Sequence, residues 1–385
     1  MEQIRNYLET EKNEMLRLLE SIVNIDSGSY CKEGIDACAR ILSQELRNLS
    51  FQAEVISEIN CGNHVRAERS GNGTKRLFLS AHLDTVWPSG AAANHPFRRD
   101  GDILYGAGIG DMKGGIVQMI SALKALHELG LETPPISVFL TGDEELGSLR
   151  GRPYIEQEAS RSDWVLVMES SSDPDVIVVE RWGVGAFYLK ISGKGAHVMD
   201  AKAAGVNACR ELALKILALE GLSDPLEGIK VSVNLVQGGA SRQMTAPAAN
   251  ADIDVRIRDL VQMGPVEERV RQIAGTPFLP GVRVGIEGGM TRPPMQVNGK
   301  TEAFLNLVKD IGREIGMEIR PGSKPGGSDG CFTSALGIAT LDGVGPVCHD
   351  LYSDRENVEV NSLMTRTLLT AMTIQRLSGA RDQKR

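Results

Sequence analysis

Four short segments that carry acidic residues or histidine come directly after apolar runs, in the places where β-strands would end. They cover residues 81–85, 110–115, 141–147 and 167–169. Ligands of helix-covered parallel sheets bind at the carboxyl ends of the strands, so these side chains are expected to lie together. One imidazole and several carboxylates suit a pair of zinc-like ions. The pattern therefore predicts an α/β fold with a metal site, and a metal-dependent hydrolase is the first hypothesis.

The spacing of apolar residues in the first 180 positions alternates between helix-like and strand-like. Helices are predicted over 4–24, 35–49 and 113–129, and strands over 53–56, 76–81, 136–141 and 164–168. This alternation is typical of a mainly parallel sheet with helices on its faces. Four candidate side chains fall at the ends of these strands: His82, Glu144, Glu145 and Glu169.

The pattern changes near Gly183. Strands are predicted over 184–191, 229–235, 253–257 and 282–286, and helices over 206–219 and 264–274. This β-α-β-β-α-β order is that of a ferredoxin-like α+β domain. The α/β pattern then returns, with a helix near 302–315 and a strand near 339–341. We therefore expect a catalytic metal-binding domain of residues 1–182 and 291–385, with an inserted domain of residues 183–290.

Length, composition and charge limit the number of domains and the kinds of partner that the protein could bind. A length of 385 residues with 42% hydrophobic residues favours two domains with ample cores. The net charge of −8, without a basic stripe, argues against nucleic acid. No run approaches the ~20 apolar residues that span a bilayer, and the first residues do not resemble a secretory signal. The expectation is a cytoplasmic protein that binds no membrane, with its six cysteines reduced.

His82 and Asp111 each have an ordinary alternative role. His82 could ligate metal through one ring nitrogen while Asp84, two residues on, holds the other nitrogen; a strand-end histidine is otherwise a hydrogen-bonded residue. Asp111 follows the glycine-rich loop 106–110, whose tight turn would let one carboxylate bridge two ions. It could also cap the next helix. The loop is not a dinucleotide fingerprint, because Asp111 stands where the third glycine would be.

Three further carboxylates follow buried strands. On extended backbone, successive side chains point apart, so one of Glu144 and Glu145 could bind metal while the other acts as general base. A pair of this kind is otherwise a solvated loop. Glu169 ends an apolar strand, where a carboxylate is costly unless it is paired or metal-bound. His197 and Arg256, taken alone, are an ordinary turn histidine and an ordinary strand arginine.

These segments, together with 193–197 and 326–329, resemble in the same order the di-zinc aminoacylase and glutamate carboxypeptidase family. That family includes acetylornithine deacetylases, succinyl-diaminopimelate desuccinylases and carboxypeptidase G-like metallopeptidases, and the similarity extends nearly end to end. The resemblance implies a zinc-exopeptidase-like fold in which the inserted domain is a lid and a homodimerisation surface. It also implies two Zn²⁺ per chain, with Co²⁺ or Mn²⁺ as alternatives, and a small N-acyl amino acid or dipeptide as substrate.

The resemblance also implies a role for each metal-site residue. His82 and Glu169 would bind one zinc, Glu145 would bind the other, and Asp111 would bridge both. The bond between Asp111 and Met112 would be cis. Asp84 would orient His82, and Glu144 would be the general base.

On the substrate side, the resemblance implies that His197 polarises the scissile carbonyl across a dimer interface. Arg256 would hold the substrate's α-carboxylate in a bidentate fork. Gly326 and Gly327 would line the substrate site. Gln243 stands where the carboxypeptidases carry an asparagine that touches substrate, which weakens a specific expectation of glutamate.

The last metal ligand departs from the family pattern. The family has a histidine four residues before a glutamate, and here Tyr352 precedes Glu356 at that spacing. His349 lies three residues earlier, and we favour it as the replacement ligand. The alternative is that the second ion is bound differently or not at all.

Three hypotheses follow. The leading one is a zinc-dependent hydrolase of amide bonds next to a free carboxylate, of glutamate carboxypeptidase type. The second is a deacylase of acetylornithine or another diamino acid. The third is a metal-poor amino-acid-binding relative that has lost turnover, which Tyr352 motivates.

Overall fold

The computed structural model describes residues 1–199 and 205–379. The helices within them are α1 (Glu2–Val23), α2 (Lys32–Asn48), α3 (Ala91–Asn94), α4 (Gly114–Glu128), α5 (Arg152–Ser160), α6 (Ala208–Glu220), α7 (Met263–Gly275), α8 (Gly299–Glu314), α9 (Gly330–Ala335) and α10 (Val360–Ser378). The strands are β1 (Gln52–Ile56), β2 (His64–Arg69), β3 (Leu77–His82), β4 (Arg98–Asp100), β5 (Ile103–Tyr105), β6 (Ile136–Thr141), β7 (Trp164–Val167), β8 (Val176–Arg181), β9 (Gly183–Ser192), β10 (Ile229–Gly238), β11 (Ala248–Ile257), β12 (Arg283–Arg292), β13 (Arg320–Lys324), β14 (Ala339–Leu341), β15 (Cys348–His349) and β16 (Asn357–Glu359). Each predicted helix and strand has a counterpart in the structure. Most ends agree within three residues, but β11 begins five residues before its predicted start and β12 ends six residues after its predicted end.

The central sheet has six strands in the order β1-β2-β6-β3-β7-β14. β6, β3, β7 and β14 are parallel, and β1 and β2 add an antiparallel edge. Every residue of β3 and β6 is buried, which is expected of parallel strands covered on both faces. The predicted mainly parallel sheet is confirmed.

α4 lies next to the sheet and is buried around most of its circumference. A helix that is apolar on every side belongs in a core, and α1 and α10 pack against it. Its second residue is Gly115, where a Cβ atom would lie only 1.9 Å from the carbonyl oxygen of Met168. The missing side chain therefore lets the start of α4 approach the end of β7. The peptide bond between Asp111 and Met112, just before α4, is cis as expected.

A small antiparallel sheet in the order β15-β16-β5-β4 lies outside the central sheet. The sequence patterns gave no sign of it, because each of its strands has only two or three residues. β16 pairs with β5, which brings the segment before α10 next to the glycine-rich loop that carries Asp111.

Two compact units divide the chain. The first comprises residues 1–180, 297–323 and 328–385, and the second comprises 181–296 and 324–327. The expected boundaries were 182/183 and 290/291, so the second unit is slightly longer and also takes in a short later segment. The roles assigned to the two domains stay predictions.

The second unit contains an antiparallel sheet in the order β10-β11-β9-β12. This is the strand order of a ferredoxin-like β-α-β-β-α-β chain. α6 and α7 each bury one apolar face against the sheet, with Leu212 and Val270 among the buried residues. No helix within residues 1–199 and 205–379 combines the length and apolar character needed to cross a bilayer.

Candidate metal centre

The structure brings four of the predicted metal ligands together in the first unit. His82 Nε2 lies 3.0 Å from Asp111 Oδ1 and 3.4 Å from Glu169 Oε1. Ligand atoms of His82, Asp111 and Glu145 all lie within 4.8 Å of one another. His82 is the last residue of β3, Glu145 and Glu169 follow β6 and β7, and Asp111 precedes α4. The carboxyl ends of the parallel strands therefore place these side chains side by side.

Asp84 lies beside His82 but contacts it in a different way from the one expected. His82 Nδ1 is 2.9 Å from the backbone carbonyl oxygen of Asp84 and 3.6 Å from its carboxylate. The carboxylate instead accepts the backbone N–H groups of Glu144 and Glu145, at 2.9 and 3.1 Å, and the hydroxyl of Ser29 at 2.9 Å. The backbone carbonyl therefore holds the ring, and the carboxylate holds the turn that carries the two glutamates.

The pKa values of the cluster are typical of crowded negative charge. Burial, together with the carboxylates of Asp111 and Glu144, raises the pKa of Glu145 to about 9, against the opposing charge of His82. Burial alone would lower the pKa of His82, but its hydrogen bonds with Asp111 and Glu169 raise that pKa well above its ordinary value. Such a site stabilises a cation at its centre.

The donor set of this cluster fits a metal ion. Among the described residues, Glu145 Oε1 is buried and has no hydrogen-bond partner, and a carboxylate oxygen in that position is costly without a cation. An imidazole nitrogen and carboxylate oxygens are ligands that zinc-type ions accept. His82, Asp111, Glu145 and Glu169 are therefore the residues that would hold metal.

His349 is not part of this cluster, and the expectation that it replaces the missing ligand is wrong for this structure. Its ring is half exposed, and Nε2 lies 3.2 Å from the carboxylate of Glu359. Tyr352 contacts the cluster instead, because its hydroxyl donates to Asp111 Oδ2 at 2.7 Å. The turn that follows His349 contains two non-glycine residues with positive φ, Asp350 at 53° and Tyr352 at 64°, and it directs the phenol towards Asp111.

Glu356 has a supporting role that sequence reasoning missed. It is buried, and its Oε1 accepts the backbone N–H groups of Gly110 and Asp111 at 2.8 and 3.3 Å. Its Oε2 accepts the indole N–H of Trp87 at 2.9 Å. Glu356 therefore fixes the loop that presents Asp111. The family spacing between Tyr352 and Glu356 was the only sequence signal for it.

A second group of possible ligands lies behind the glutamate turn. Ligand atoms of Cys61, His64 and Asp143 lie within 4.8 Å of one another, and all three residues are buried. However, His64 Nδ1 accepts the backbone N–H of Gly142 at 2.8 Å. Since a backbone N–H can only donate, the neutral ring carries its proton on Nε2, which leaves no free lone pair there for a metal. His64 is therefore a structural residue.

The predicted substrate residues lie in the second unit. His197 pairs with Met244 in a short bridge, and its Nδ1 accepts the backbone N–H of Met199 at 3.3 Å. The backbone carbonyl of Gln243 accepts the N–H of Val198 at 3.2 Å. His197 and Gln243 thus belong to two neighbouring loops of the same unit.

The guanidinium of Arg256 already holds a carboxylate. Its Nε and Nη2 donate to the two carboxylate oxygens of Asp254, both at 2.9 Å. Because the two residues are two positions apart on β11, their side chains share one face of the strand. A substrate carboxylate would have to displace Asp254 to take this fork.

Two buried arginines border Gly326 and Gly327. Arg181 donates to the carbonyl oxygens of both glycines, at 3.2 and 3.4 Å. A Cβ atom at Gly327 would lie 2.7 Å from Cδ of Arg292, so the glycine lets this side chain pass close to the backbone. Sequence reasoning named the glycines and missed the arginines, because a strand-end arginine carries no local pattern.

An imidazole and several carboxylates gathered at the carboxyl ends of parallel strands, with Glu144 nearby and held through its backbone N–H, are the arrangement expected of a metal-dependent hydrolase. The model of Peptidase family M20/M25/M40 matches residues 78–376, and the chain belongs to that family. The predicted family and the prediction of an enzyme are both confirmed.

Two curated relatives extend along most of the chain. Carboxypeptidase G2 of Pseudomonas sp. (strain RS-16) is 29% identical over 380 residues, which cover 96% of this chain and 91% of that protein. Succinyl-diaminopimelate desuccinylase of Erythrobacter litoralis (strain HTCC2594) is 28% identical over 286 residues, which cover 69% of this chain and 71% of that protein.

Solved structures share the fold. A tripeptidase from Staphylococcus aureus aligns with a TM-score of 0.78 at 20% identity, over 96% of this chain and 99% of that chain. The YXEP protein of Bacillus subtilis, a dinuclear metal-binding peptidase of the M20 family, aligns with a TM-score of 0.70 at 15% identity, over 96% of this chain and 99% of that chain. The chain therefore has the M20 peptidase fold, a mixed α/β architecture with a parallel-rich central sheet.

Proposed function

We propose that this protein hydrolyses an amide bond next to a free carboxylate, in an N-acyl amino acid or a small peptide. The observation that carries the proposal is the 3.0 Å approach of His82 Nε2 to Asp111 Oδ1, beside the buried carboxylate of Glu169 and the buried Oε1 atom of Glu145. A glutamate carboxypeptidase-like specificity is supported by the relative named carboxypeptidase G2, which matches along nearly its whole length.

The cofactor we propose is two divalent ions per chain, zinc in the first instance, held by His82, Asp111, Glu145 and Glu169. When bound, such ions lower the pKa of a water molecule and stabilise developing negative charge. Glu144 takes the proton of the attacking water and later donates it to the leaving amine. Asp84 keeps Glu144 in place by accepting its backbone N–H at 2.9 Å.

On the substrate side, His197 is proposed to polarise the scissile carbonyl, a contact worth roughly 3–4 kcal/mol in related oxyanion sites. Arg256 is the proposed carboxylate fork. The buried guanidinium of Arg292 beside Gly327 is a second candidate for the same task. Replacing each arginine by lysine in turn, and comparing KM for a substrate with and without its α-carboxylate, decides between them.

We also propose that the second unit is a lid and a homodimerisation surface. β10 lies at one edge of its sheet, and Leu235 and Val236 on that strand are 65% and 54% exposed. Leu217 on α6 is 75% exposed. An open strand edge with apolar side chains favours pairing with a second chain. Sedimentation of the wild type and of Leu235→Lys tests this proposal: the variant is expected to shift towards monomer.

The second candidate function is deacylation of a diamino acid. It is favoured by the relative named succinyl-diaminopimelate desuccinylase and by Gln243, which departs from the carboxypeptidase pattern. The metal-poor binding protein is the third candidate, because Tyr352 stands at the position of a ligand. The cytoplasmic location and the absence of a nucleic-acid partner stay predictions.

A substrate panel with one matched pair of variants tests these candidates. N-acyl glutamates and N-acyl ornithines are offered to metal-loaded wild type, Glu144→Gln and Glu132→Gln, the last being an exposed control. The expected result is preferred cleavage of the glutamate series, loss of activity after chelation, and a fall of roughly 10²–10⁴-fold in Glu144→Gln alone. Activity that survives exhaustive chelation, or an unchanged Glu144→Gln, contradicts the proposal; preference for ornithine selects the second candidate.

A further inference from the structure

The two oxygens of Asp111 face different kinds of donor. Oδ1 lies 3.0 Å from the imidazole nitrogen Nε2 of His82. Oδ2 accepts the phenolic O–H of Tyr352 at 2.7 Å. Asp111 therefore joins two unlike sides of the metal centre, and any pair of ions that shares this carboxylate is held by different ligand sets.

The side of His82 has the composition of a tight zinc position. It offers one imidazole nitrogen and carboxylate oxygens from Asp111 and Glu169, the latter 3.4 Å from the ring nitrogen. The orientation of the His82 ring is fixed by its other nitrogen, because Nδ1 lies 2.9 Å from the carbonyl oxygen of Asp84. Three protein ligands with a fixed imidazole are typical of zinc sites that keep one position open.

Tyr352 and Asp111 contribute two facing oxygen atoms, the phenolic hydroxyl and Oδ2. Glu145 offers a third: its Oε1 is buried and has no hydrogen-bond partner among the described residues, and a ligand atom of Glu145 lies within 4.8 Å of those of His82 and Asp111. These three side chains form an oxygen-only donor set. The hydroxyl of Tyr352 donates to Asp111 Oδ2 at 2.7 Å, and this bond must be given up before an ion can use that oxygen. Losing a hydrogen bond to a charged group weakens binding on the order of 10–100-fold.

The exposed imidazole of His349 does not compensate. Its Nε2 lies 3.2 Å from Glu359, and both side chains are more than 40% exposed. Asp350 and Tyr352 both have positive φ angles, and the backbone turn that they form points the phenol of Tyr352 towards Asp111. Residues held in this sparsely populated region of backbone conformation point to a functional constraint on the turn.

We infer that the two metal positions of this chain are unequal. One zinc-type ion is held tightly by His82, Asp111 and Glu169, and a second, readily exchanged ion is held by Asp111, Glu145 and Tyr352. Oxygen-only ligands favour harder ions, so the second position accepts Mn²⁺ relatively better than the first. The inference rests on the proposed function for the identity of the metal centre, and Tyr352 sets the difference between the two positions.

Metal stoichiometry tests the inference without any use of activity. Protein loaded with excess Zn²⁺ is dialysed against a weak chelator and counted by elemental mass spectrometry, and Mn²⁺ is then titrated into the dialysed protein by calorimetry. The wild type is expected to retain one equivalent and to bind a second at least 10-fold more weakly. Tyr352→His is expected to retain two equivalents, because an imidazole replaces the phenol. His349→Ala is the matched control and is expected to behave as wild type.

Several outcomes would overturn the inference. They are two equally tight ions in the wild type, no second binding event at millimolar Mn²⁺, an unchanged single equivalent in folded Tyr352→His, or loss of an ion in His349→Ala. If Tyr352→His does not fold, as judged by circular dichroism, Glu145→Gln replaces it and is expected to lose only the weak ion. An active enzyme with two tight ions defeats this inference alone, whereas unequal ions without hydrolysis defeat only the proposed function.

Discussion

The carboxylate of Asp84 accepts the backbone N–H of Glu144 at 2.9 Å. The same residue places its backbone carbonyl oxygen 2.9 Å from Nδ1 of His82. One residue therefore sets the positions of both a metal ligand and the proposed general base. Asp84 contacts His82 through its main chain and Glu144 through its side chain.

Replacing Asp84 by asparagine is expected to impair both functions of that residue. The amide keeps one acceptor oxygen but turns an NH₂ group towards backbone donors, so at least one of the bonds to Glu144, Glu145 and Ser29 is lost. The expected loss is about 1–3 kcal/mol of unfolding free energy, with a clear fall in kcat at saturating metal. Urea denaturation and steady-state kinetics measure the two. Ser29→Ala is the milder control, and wild-type kcat in Asp84→Asn would contradict the expectation.

Gly115 is expected to tolerate no side chain. A Cβ atom there would meet the Met168 carbonyl oxygen at 1.9 Å, so α4 must move away from β7. Overpacking of this kind costs about 1–3 kcal/mol or more, and Glu169 next to Met168 is expected to shift with it. Thermal unfolding and metal content of Gly115→Ala check both effects.

The control for this change is Gly299→Ala. Gly299 also lies in the first turn of a helix, but nothing approaches its missing Cβ within 4 Å. Alanine there is expected to be neutral or stabilising by up to about 1 kcal/mol. Equal effects of the two substitutions would argue against a steric role for Gly115.

A buried ion pair in the second unit is expected to dominate its stability. Glu211 and Lys215 lie 3.2 Å apart with no exposed side-chain surface. Glu211 also accepts the N–H groups of Phe278 and Leu279, both at 2.8 Å. Glu211→Gln leaves the buried lysine with the carbonyl oxygens of Ile273 and Thr276 but without its counter-charge, which costs about 3–5 kcal/mol. Urea denaturation measures the change.

The exposed pair of Lys190 and Glu287 provides the comparison, because both side chains are more than 60% exposed. Glu287→Gln is expected to cost no more than about 1 kcal/mol. If the two glutamine variants lose similar stability, burial does not determine the strength of the Glu211 pair.

His64 is expected to make stability fall in mild acid. Burial lowers the pKa of His64 below its ordinary value, which is about 6.5 in an unfolded chain. The unfolded state therefore binds a proton before the folded state does, and folding stability declines as pH decreases below about 6.5. In His64→Asn, which keeps an acceptor for Gly142, this part of the decline is removed. The free-energy gap between the two proteins should narrow from pH 8 to pH 5, and a constant gap would refute the assignment.

Sequence patterns located the parallel strands of the central sheet because each is a mainly apolar run, whereas β2 was missed because it contains Arg66, Glu68 and Arg69. The run 136–141 coincides with β6, and 339–341 coincides with β14. In the second unit, alternating burial also made strands such as β11 recognisable. By contrast, β15 and β16 have two and three residues, too few to show a period.

Part of the candidate metal centre was also predictable, because its side chains stand at the ends of those apolar runs. The carboxyl ends of the strands and the glycine-rich loop bring three of the predicted ligands together: His82, Asp111 and Glu145. His349 was favoured on distance along the chain, yet the positive-φ turn presents Tyr352 to Asp111 instead. Backbone torsions of single residues leave no mark on hydrophobic periodicity, and only the spacing to Glu356 pointed to Tyr352.

The buried ammonium of Lys113 donates to the carbonyl oxygen of Ile25 at 2.9 Å. Ile25 lies two residues beyond the end of α1, and Lys113 lies two residues after Asp111. The segment that ends at Ile25 therefore stabilises the loop that carries Asp111 and is not a dispensable extension. A truncated form that begins after residue 25 lacks the acceptor of Lys113, so its Asp111 loop should not be taken to represent that of the full chain, even if the truncated protein is obtained in good yield.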